Sequence, residues 1–157
     1  MILKDAEALA RRLLSSHGLS HWHFEFDRAV RRFGICKYRA RTIALSRKFT
    51  LLNSEPDVRN TILHEIAHAL VGPNHAHDKV WRAKASELGC SGSRCCERSV
   101  VAPSSKWIAE CPGCRRVVTR HRRRIASCGR CSGGSFNPRY QLHWTMIKDS
   151  HTKRGTP

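Results

Sequence analysis

Residues 64–68 read His-Glu-Ile-Ala-His. Two histidines four apart on a helix lie about 40° apart around its axis and about one 5.4 Å turn apart along it. Both imidazoles can then reach one metal ion. The glutamate between them projects beside the pair, where it can hold or deprotonate a water at that ion. This is the chemistry of a zinc hydrolase, with Glu65 as general base and His64 and His68 as ligands. A catalytic zinc takes three protein ligands and keeps a fourth position open. His75, His77 and Glu87 are the downstream candidates for the third ligand. His77 is preferred. It opens the segment His77-Asp78-Lys79-Val80-Trp81, which continues as a helix with Trp81, Ala85 and Leu88 on one face and stops at Gly89. His75 falls in the loop before it.

A second constellation lies further on. Cys111-Pro112-Gly113-Cys114 is followed, after thirteen residues, by Cys128-Gly129-Arg130-Cys131. Four thiolates in paired Cys-x-x-Cys knuckles complete a closed tetrahedral site, which makes this zinc structural. So small a segment cannot bury enough apolar surface to fold without its metal. The short spacer predicts a tight hairpin, with strands at 117–119 and 125–127, His121 to Arg124 at its tip and a closing strand from Tyr140 to Trp144. The remaining cysteines, Cys36, Cys90, Cys95 and Cys96, have no regular ligand spacing and read as free thiols.

The first constellation needs a helix. Ser54 can cap it, with Asp57 three residues on as a capping-box partner and Pro56 in the first turn. Val58, Ile62, Ile66, Ala69 and Leu70 then recur at three- and four-residue steps and form an apolar stripe. His64 and His68 fall on nearly the opposite side, with Glu65 at the edge between. Gly72-Pro73 ends the helix. Upstream, Ala6, Leu9, Ala10, Leu13 and Leu14 mark an amphipathic helix that Gly18 terminates. Trp22, Phe24 and Phe26 alternate as a half-buried strand, Arg31 to Cys36 reads as a basic turn, Ala40 to Ser46 as a second strand, and Phe49 to Leu52 as a third.

The stretch from His64 to His68, the Gly72-Pro73-Asn74 loop, and His77 with Trp81 four residues on together resemble the SprT-like family. Trp22 to Phe26, Arg31 to Gly34 and Ile43 to Ser46 resemble the strand region that precedes its active helix, and the four-cysteine module resembles the ribbon that follows it. That family includes the Spartan-type DNA-dependent metalloproteases, which degrade proteins crosslinked to DNA. The resemblance implies an α+β fold: a small zincin-like metalloprotease core, helices packed on a short sheet, with a C-terminal zinc ribbon. It implies one catalytic zinc on His64, His68 and His77, Glu65 as catalytic base, and one structural zinc on Cys111, Cys114, Cys128 and Cys131. The expected division is a core over residues 1–102, a linker at 103–106, the ribbon over 107–146 and a disordered tail at 147–157. The expectation is a chain without the long regulatory tail of the eukaryotic Spartan proteins.

The charge agrees with a polyanionic partner. The 157 residues carry a net charge of +17. Residues 106–157 hold 12 Lys and Arg against 2 Asp and Glu, so +10 falls in a third of the length. Such a basic segment points to DNA, single-stranded or partly unpaired, since no helix there has the pattern of a major-groove reader. Arg115, Arg116, Arg120, Arg122, Arg123 and Arg124 are the candidate phosphate contacts, with Arg130 nearby. Phe136, Tyr140 and Trp144 can stack on bases or form the ribbon's own core. The expected substrates are proteins bound to DNA. Two other classes remain open: a non-catalytic nucleic-acid-binding zinc protein, and a metal hydrolase of another amide. The N-terminus lacks a secretory signal, and no apolar run is long enough to span a membrane. The expectation is therefore an intracellular protein, cytoplasmic or nucleoid-associated, without membrane partners.

Overall fold

A computed structural model of the chain describes residues 1–91 and 100–147. It divides into two compact units, Met1–Pro103 and Ser104–Pro157. The expected tail lies almost wholly outside the described residues, as do Cys95 and Cys96.

The first unit is α+β. Helix α1 (Leu3–Ser16) buries Ala6, Leu9, Ala10, Leu13 and Leu14. Strands β1 (His23–Asp27), β2 (Gly34–Lys37) and β3 (Thr42–Ser46) form a sheet of order β1-β3-β2. β3 is central and buried at all five positions. β1 runs parallel to it, with Phe24 beside Ile43, and β2 antiparallel, with Ile35 beside Ala44. A strand buried on both faces loses the alternation of a half-buried one and becomes continuously apolar or small, as Thr-Ile-Ala-Leu-Ser is here. Helix α2 (Arg47–Leu52) follows at once, then α3 (Glu55–Val71) and α4 (Lys79–Glu87). α3 is the hub and packs against α1, α4, β2 and β3.

The start of α3 is fixed by its sequence. Ser54 and Asp57 form a capping box, and Pro56 occupies the first turn. Its end is fixed by Gly72 at φ 85° and ψ 174°, a region closed to residues with a Cβ. The apolar side is broader than the expected stripe. Val58, Ile62 and Ile66 are buried, but so are Leu63 and Ala67, because two layers flank the helix. Leu70, by contrast, is exposed.

Two segments differ from expectation. Phe49 to Leu52 is helix, not strand. The Ser46 hydroxyl accepts the Phe49 N–H at 3.3 Å and so caps α2, and the Asn53 amide donates to the Phe49 carbonyl at 2.7 Å at its other end. Local capping overrides the β propensity of Phe49 and Thr50, and Leu51 and Leu52 are themselves good helix formers. The region read as a basic turn, Arg31 to Cys36, contains strand β2 instead.

In the second unit, β4 (Trp107–Glu110), β5 (Val117–Arg120) and β6 (Thr145–Met146) form an antiparallel sheet of order β5-β4-β6. β5 pairs with β4 and not with residues 125–127, which make only an isolated bridge from Ser127 to Gln141. The pairing β5 finds is thus the segment before the first knuckle, joined to it by a loop that the knuckle itself closes. Ile125, expected in a strand, is 80 % exposed. The segment expected as a closing strand opens instead with a 3-10 turn, Pro138–Tyr140, and the final pairing falls to β6. Ala109, Cys111, Cys128 and Leu142 form the small core, with Tyr140 and Trp144 packed on it. Among the described residues, no helix is long and apolar enough to cross a membrane.

Candidate active site

His64 and His68 sit one turn apart on α3, half-buried, and His77 reaches them from the loop between α3 and α4. The His77 backbone is left-handed, at φ 57°. That costs about 1–2 kcal/mol for a residue with a Cβ, and it turns the chain into α4. Asp78 caps α4 by accepting the Trp81 N–H at 3.0 Å. His75 is not in the cluster. Its Nδ1 lies 2.8 Å from the Asp78 carboxylate. Glu87 is also outside it, paired with Lys84.

The Nε2 atom of His77 lies 3.0 Å from that of His64 and 3.1 Å from that of His68. One ring nitrogen has one proton or one lone pair in its plane, so it cannot satisfy two such neighbours at once. A cation between the three nitrogens satisfies all of them. Metal–nitrogen bonds of about 2.0–2.1 Å give nitrogens about 3.3 Å apart in a regular tetrahedron, and the observed spacing is slightly tighter. The residues therefore fit zinc. Burial, with repulsion from the neighbouring histidines, lowers the pKa of His64 and of His68 to about 4 each. Both rings are then neutral at physiological pH, as ligation requires.

Glu65 is buried beneath β2. The Cys36 N–H donates a hydrogen bond to its carboxylate, and the Arg32 charge, held by Asp27 at 2.6 Å, also favours the ionised form. Burial outweighs both and pushes the carboxyl up to about 8. A pKa near working pH suits a group that must first take and then return a proton. β2 can approach this closely because residue 34 is glycine. A Cβ there would stand 2.7 Å from Glu65 Oε1, 2.9 Å from its Cγ and 3.0 Å from Thr61 Cγ2. Sequence reasoning missed these contacts. An isolated glycine between Phe33 and Ile35 signals close backbone approach as readily as a turn.

In the second unit, the sulfurs of Cys111, Cys114, Cys128 and Cys131 all lie within 4.8 Å of one another. Cys111 to Cys131 and Cys114 to Cys128 are each 3.8 Å. That is far beyond a disulfide bond and equals the edge of a tetrahedron with metal–sulfur bonds of about 2.3 Å. The Gly113 N–H points at Cys111 Sγ, at 3.4 Å. The N–H groups of Cys131 and Arg130 draw the Cys128 thiol below its usual range. The neighbouring sulfurs, Cys114 first, push the Cys131 thiol up to about 12, a crowding that a cation among the four would relieve, so the donor set fits zinc.

All six candidate phosphate-binding arginines are exposed. They are not equivalent. Arg115 pairs with Glu110 at 2.5 Å, and Arg123 lies over the Trp107 ring at 5.4 Å. Arg116 and Arg120 line a groove of about 510 Å³ together with Arg130. The Trp144 indole donates to the Arg124 carbonyl at 2.8 Å and packs on the ribbon core.

No curated protein matches the chain. Among solved structures it is similar to the metallopeptidase zymogen jannalysin of Methanocaldococcus jannaschii, with 14 % identity and a TM-score of 0.47 over 52 % of this chain and 79 % of that one. It is also similar to the abylysin zymogen of Pyrococcus abyssi, with 16 % identity and a TM-score of 0.45 over 52 % and 77 %. The SprT-like family matches residues 4–100, which hold the histidine cluster, Glu65 and the whole sheet of the first unit. On that match, covering well over half of its length, the chain belongs to the SprT-like family.

Proposed function

We propose that this protein is a zinc metallopeptidase whose substrates are proteins held on DNA, including proteins crosslinked to it. The observation that carries the reading is the convergence of three imidazole nitrogens at 3.0–3.1 Å beside a buried glutamate, in a chain of this family.

His64, His68 and His77 would hold the ion, and the low pKa values of His64 and His68 keep protons from competing for it. Zinc bound there supplies Lewis acidity, acidifying water and polarising a peptide carbonyl. Glu65 accepts the proton of the attacking water and passes it to the leaving amine. The Cys36 N–H fixes the carboxylate during both transfers. β2 lies over Glu65 and, among the described residues, pairs only with β3. Its outer edge can add an extended substrate strand through main-chain hydrogen bonds. A groove of about 540 Å³, lined by Lys37, Tyr38, Arg39, Ala40 and Pro73, continues from the end of that strand.

The basic ribbon would bring the enzyme to DNA. Arg116 and Arg120 on the groove, with Arg122 and Arg124, are free of carboxylate partners among the described residues. Tethering raises the local concentration of any protein on the same strand, which can stand in for cleavage-site specificity. The test is incubation with a basic DNA-binding protein, with and without single-stranded DNA. Wild type should cleave faster with DNA, and Glu65→Gln should not cleave at all. Equal cleavage with and without DNA would remove the DNA-held substrate from the proposal, and cleavage by the variant would remove Glu65.

A further inference from the structure

We infer that Trp81 is a positioning residue for the histidine centre: its indole is the common wall against which all three imidazoles are set. The inference rests on the reading that these histidines hold zinc. Trp81 is completely buried. Its ring centroid lies 4.6 Å from that of His64, 5.1 Å from that of His68 and 4.5 Å from that of His77. The three rings meet it at different tilts, 59°, 30° and 81°. One flat surface thus opposes rotation of three side chains that come from two separate segments.

Two further observations support this role. The first is how Trp81 is anchored. Its backbone N–H donates to one oxygen of the Asp78 carboxylate, whose other oxygen lies against His75 Nδ1. The same two residues flank His77, so the turn that delivers the third ligand also sets the wall. The second is the indole nitrogen. Nε1 is buried and has no hydrogen-bond partner among the described residues. Buried indoles ordinarily find one. A residue chosen only to fill the core would do so without an orphaned donor, as Phe does. What Trp adds over Phe is span, and the span is what reaches three rings. Partners behind metal ligands commonly change metal affinity by about 10- to 100-fold when removed.

The test compares wild type with Trp81→Phe and Trp81→Leu. Zinc affinity is read by competition with a chromophoric chelator, and ligand geometry by the visible spectrum of the cobalt-substituted protein. Thermal unfolding of the metal-free proteins checks folding. The expected result is a graded loss, about 10-fold in affinity for Phe and about 100-fold for Leu, with an altered cobalt spectrum. If both folded variants lose thermal stability but keep wild-type affinity and spectrum, Trp81 is only core and the inference fails. If neither variant folds, a chain with Trp22, Trp107 and Trp144 changed to Phe answers the question. Trp81 emission should then change on cobalt addition and stay constant in the same chain carrying His77→Ala. Constant emission while the cobalt spectrum of the histidine site develops would overturn the inference. A wild-type protein that binds one zinc, with His64→Ala leaving that count unchanged, would overturn the zinc reading itself.

Discussion

Replacing Gly34 by Ala should separate metal binding from catalysis. The added methyl would sit 2.7 Å from Glu65 Oε1, 2.9 Å from Glu65 Cγ and 3.0 Å from Thr61 Cγ2. Comfortable carbon contacts begin near about 3.5 Å, so roughly half an ångström or more must be found. Glu65 cannot simply swing away, because its carboxylate is hydrogen-bonded to Cys36 two residues further along the same strand. β2 cannot simply lift, because it is paired with β3 over four residues. Overpacking of this kind costs about 1–3 kcal/mol, part of it offset by the lower chain entropy of Ala in a strand. The effect on turnover should be larger. A displaced general base loses up to about 100-fold in rate for roughly 1 Å. The histidines project from the other edge of the helix turn and should keep their ion. The assay is kcat/KM on a DNA-bound protein, with zinc counted by mass spectrometry on the same sample. Full activity at normal zinc content would refute the claim that β2 fixes the base. Loss of zinc along with activity would show that the clash spreads into the ligand helix.

In the metal-free protein, protonated Glu65 contributes stability that is lost as pH rises from about 4.5 to about 8, while neutral His64 and His68 contribute stability that is gained as pH rises from about 4 to about 6.5. Glu65→Gln removes the first dependence only; melting temperatures of the two proteins should diverge across the Glu65 window, and parallel curves would contradict the buried carboxyl. Cys128→Ser should lose the ribbon's zinc and the amide-exchange protection of β4 and β5, while α3 stays protected; protection throughout both units would show that the ribbon does not need its metal. Combined Arg116→Ala and Arg120→Ala should weaken single-stranded DNA binding and flatten its salt dependence by about one to two units of slope. Arg115→Ala should do less, because Glu110 already neutralises that side chain; equal effects would count against the groove as the binding surface.

Motif spacing carried the histidine site far because ligation has strict geometric needs. The four-residue step of His64 and His68 is set by the helix, and the capping box that starts that helix is local sequence chemistry. β2 was hidden for the opposite reason. It is four residues long, flanked by cations and opened by a glycine whose purpose is visible only once Glu65 lies beneath it. Nothing in a one-dimensional pattern distinguishes that glycine from a turn. α2 departs from the strand expectation because only Phe49 and Thr50 favour strands, while a single serine hydroxyl and the Asn53 amide cap the helix at its two ends. In the second unit the cysteine spacing accounts for four sulfurs meeting but not for the partner of β5, since pairing depends on which segment the closed knuckle brings alongside. The burial of Leu63 and Ala67 follows from a second layer over α3, which helical periodicity alone does not encode.

A sheet border that accepts a passing polypeptide will also accept the same border of a sister molecule. Arg31 stands just before β2 and Arg39 just after it, and neither has, among the described residues, the carboxylate partner that Asp27 gives Arg32 and Glu25 gives Lys37. Two copies approaching border to border would bring like charges together at both ends, in a chain already far from electroneutrality. A passing polypeptide without that cationic bracket meets no such barrier. Neutralising Arg31 and Arg39 should therefore lower colloidal solubility before it disturbs the hydrolytic centre, as expected of cations that guard the border of β2 against self-assembly.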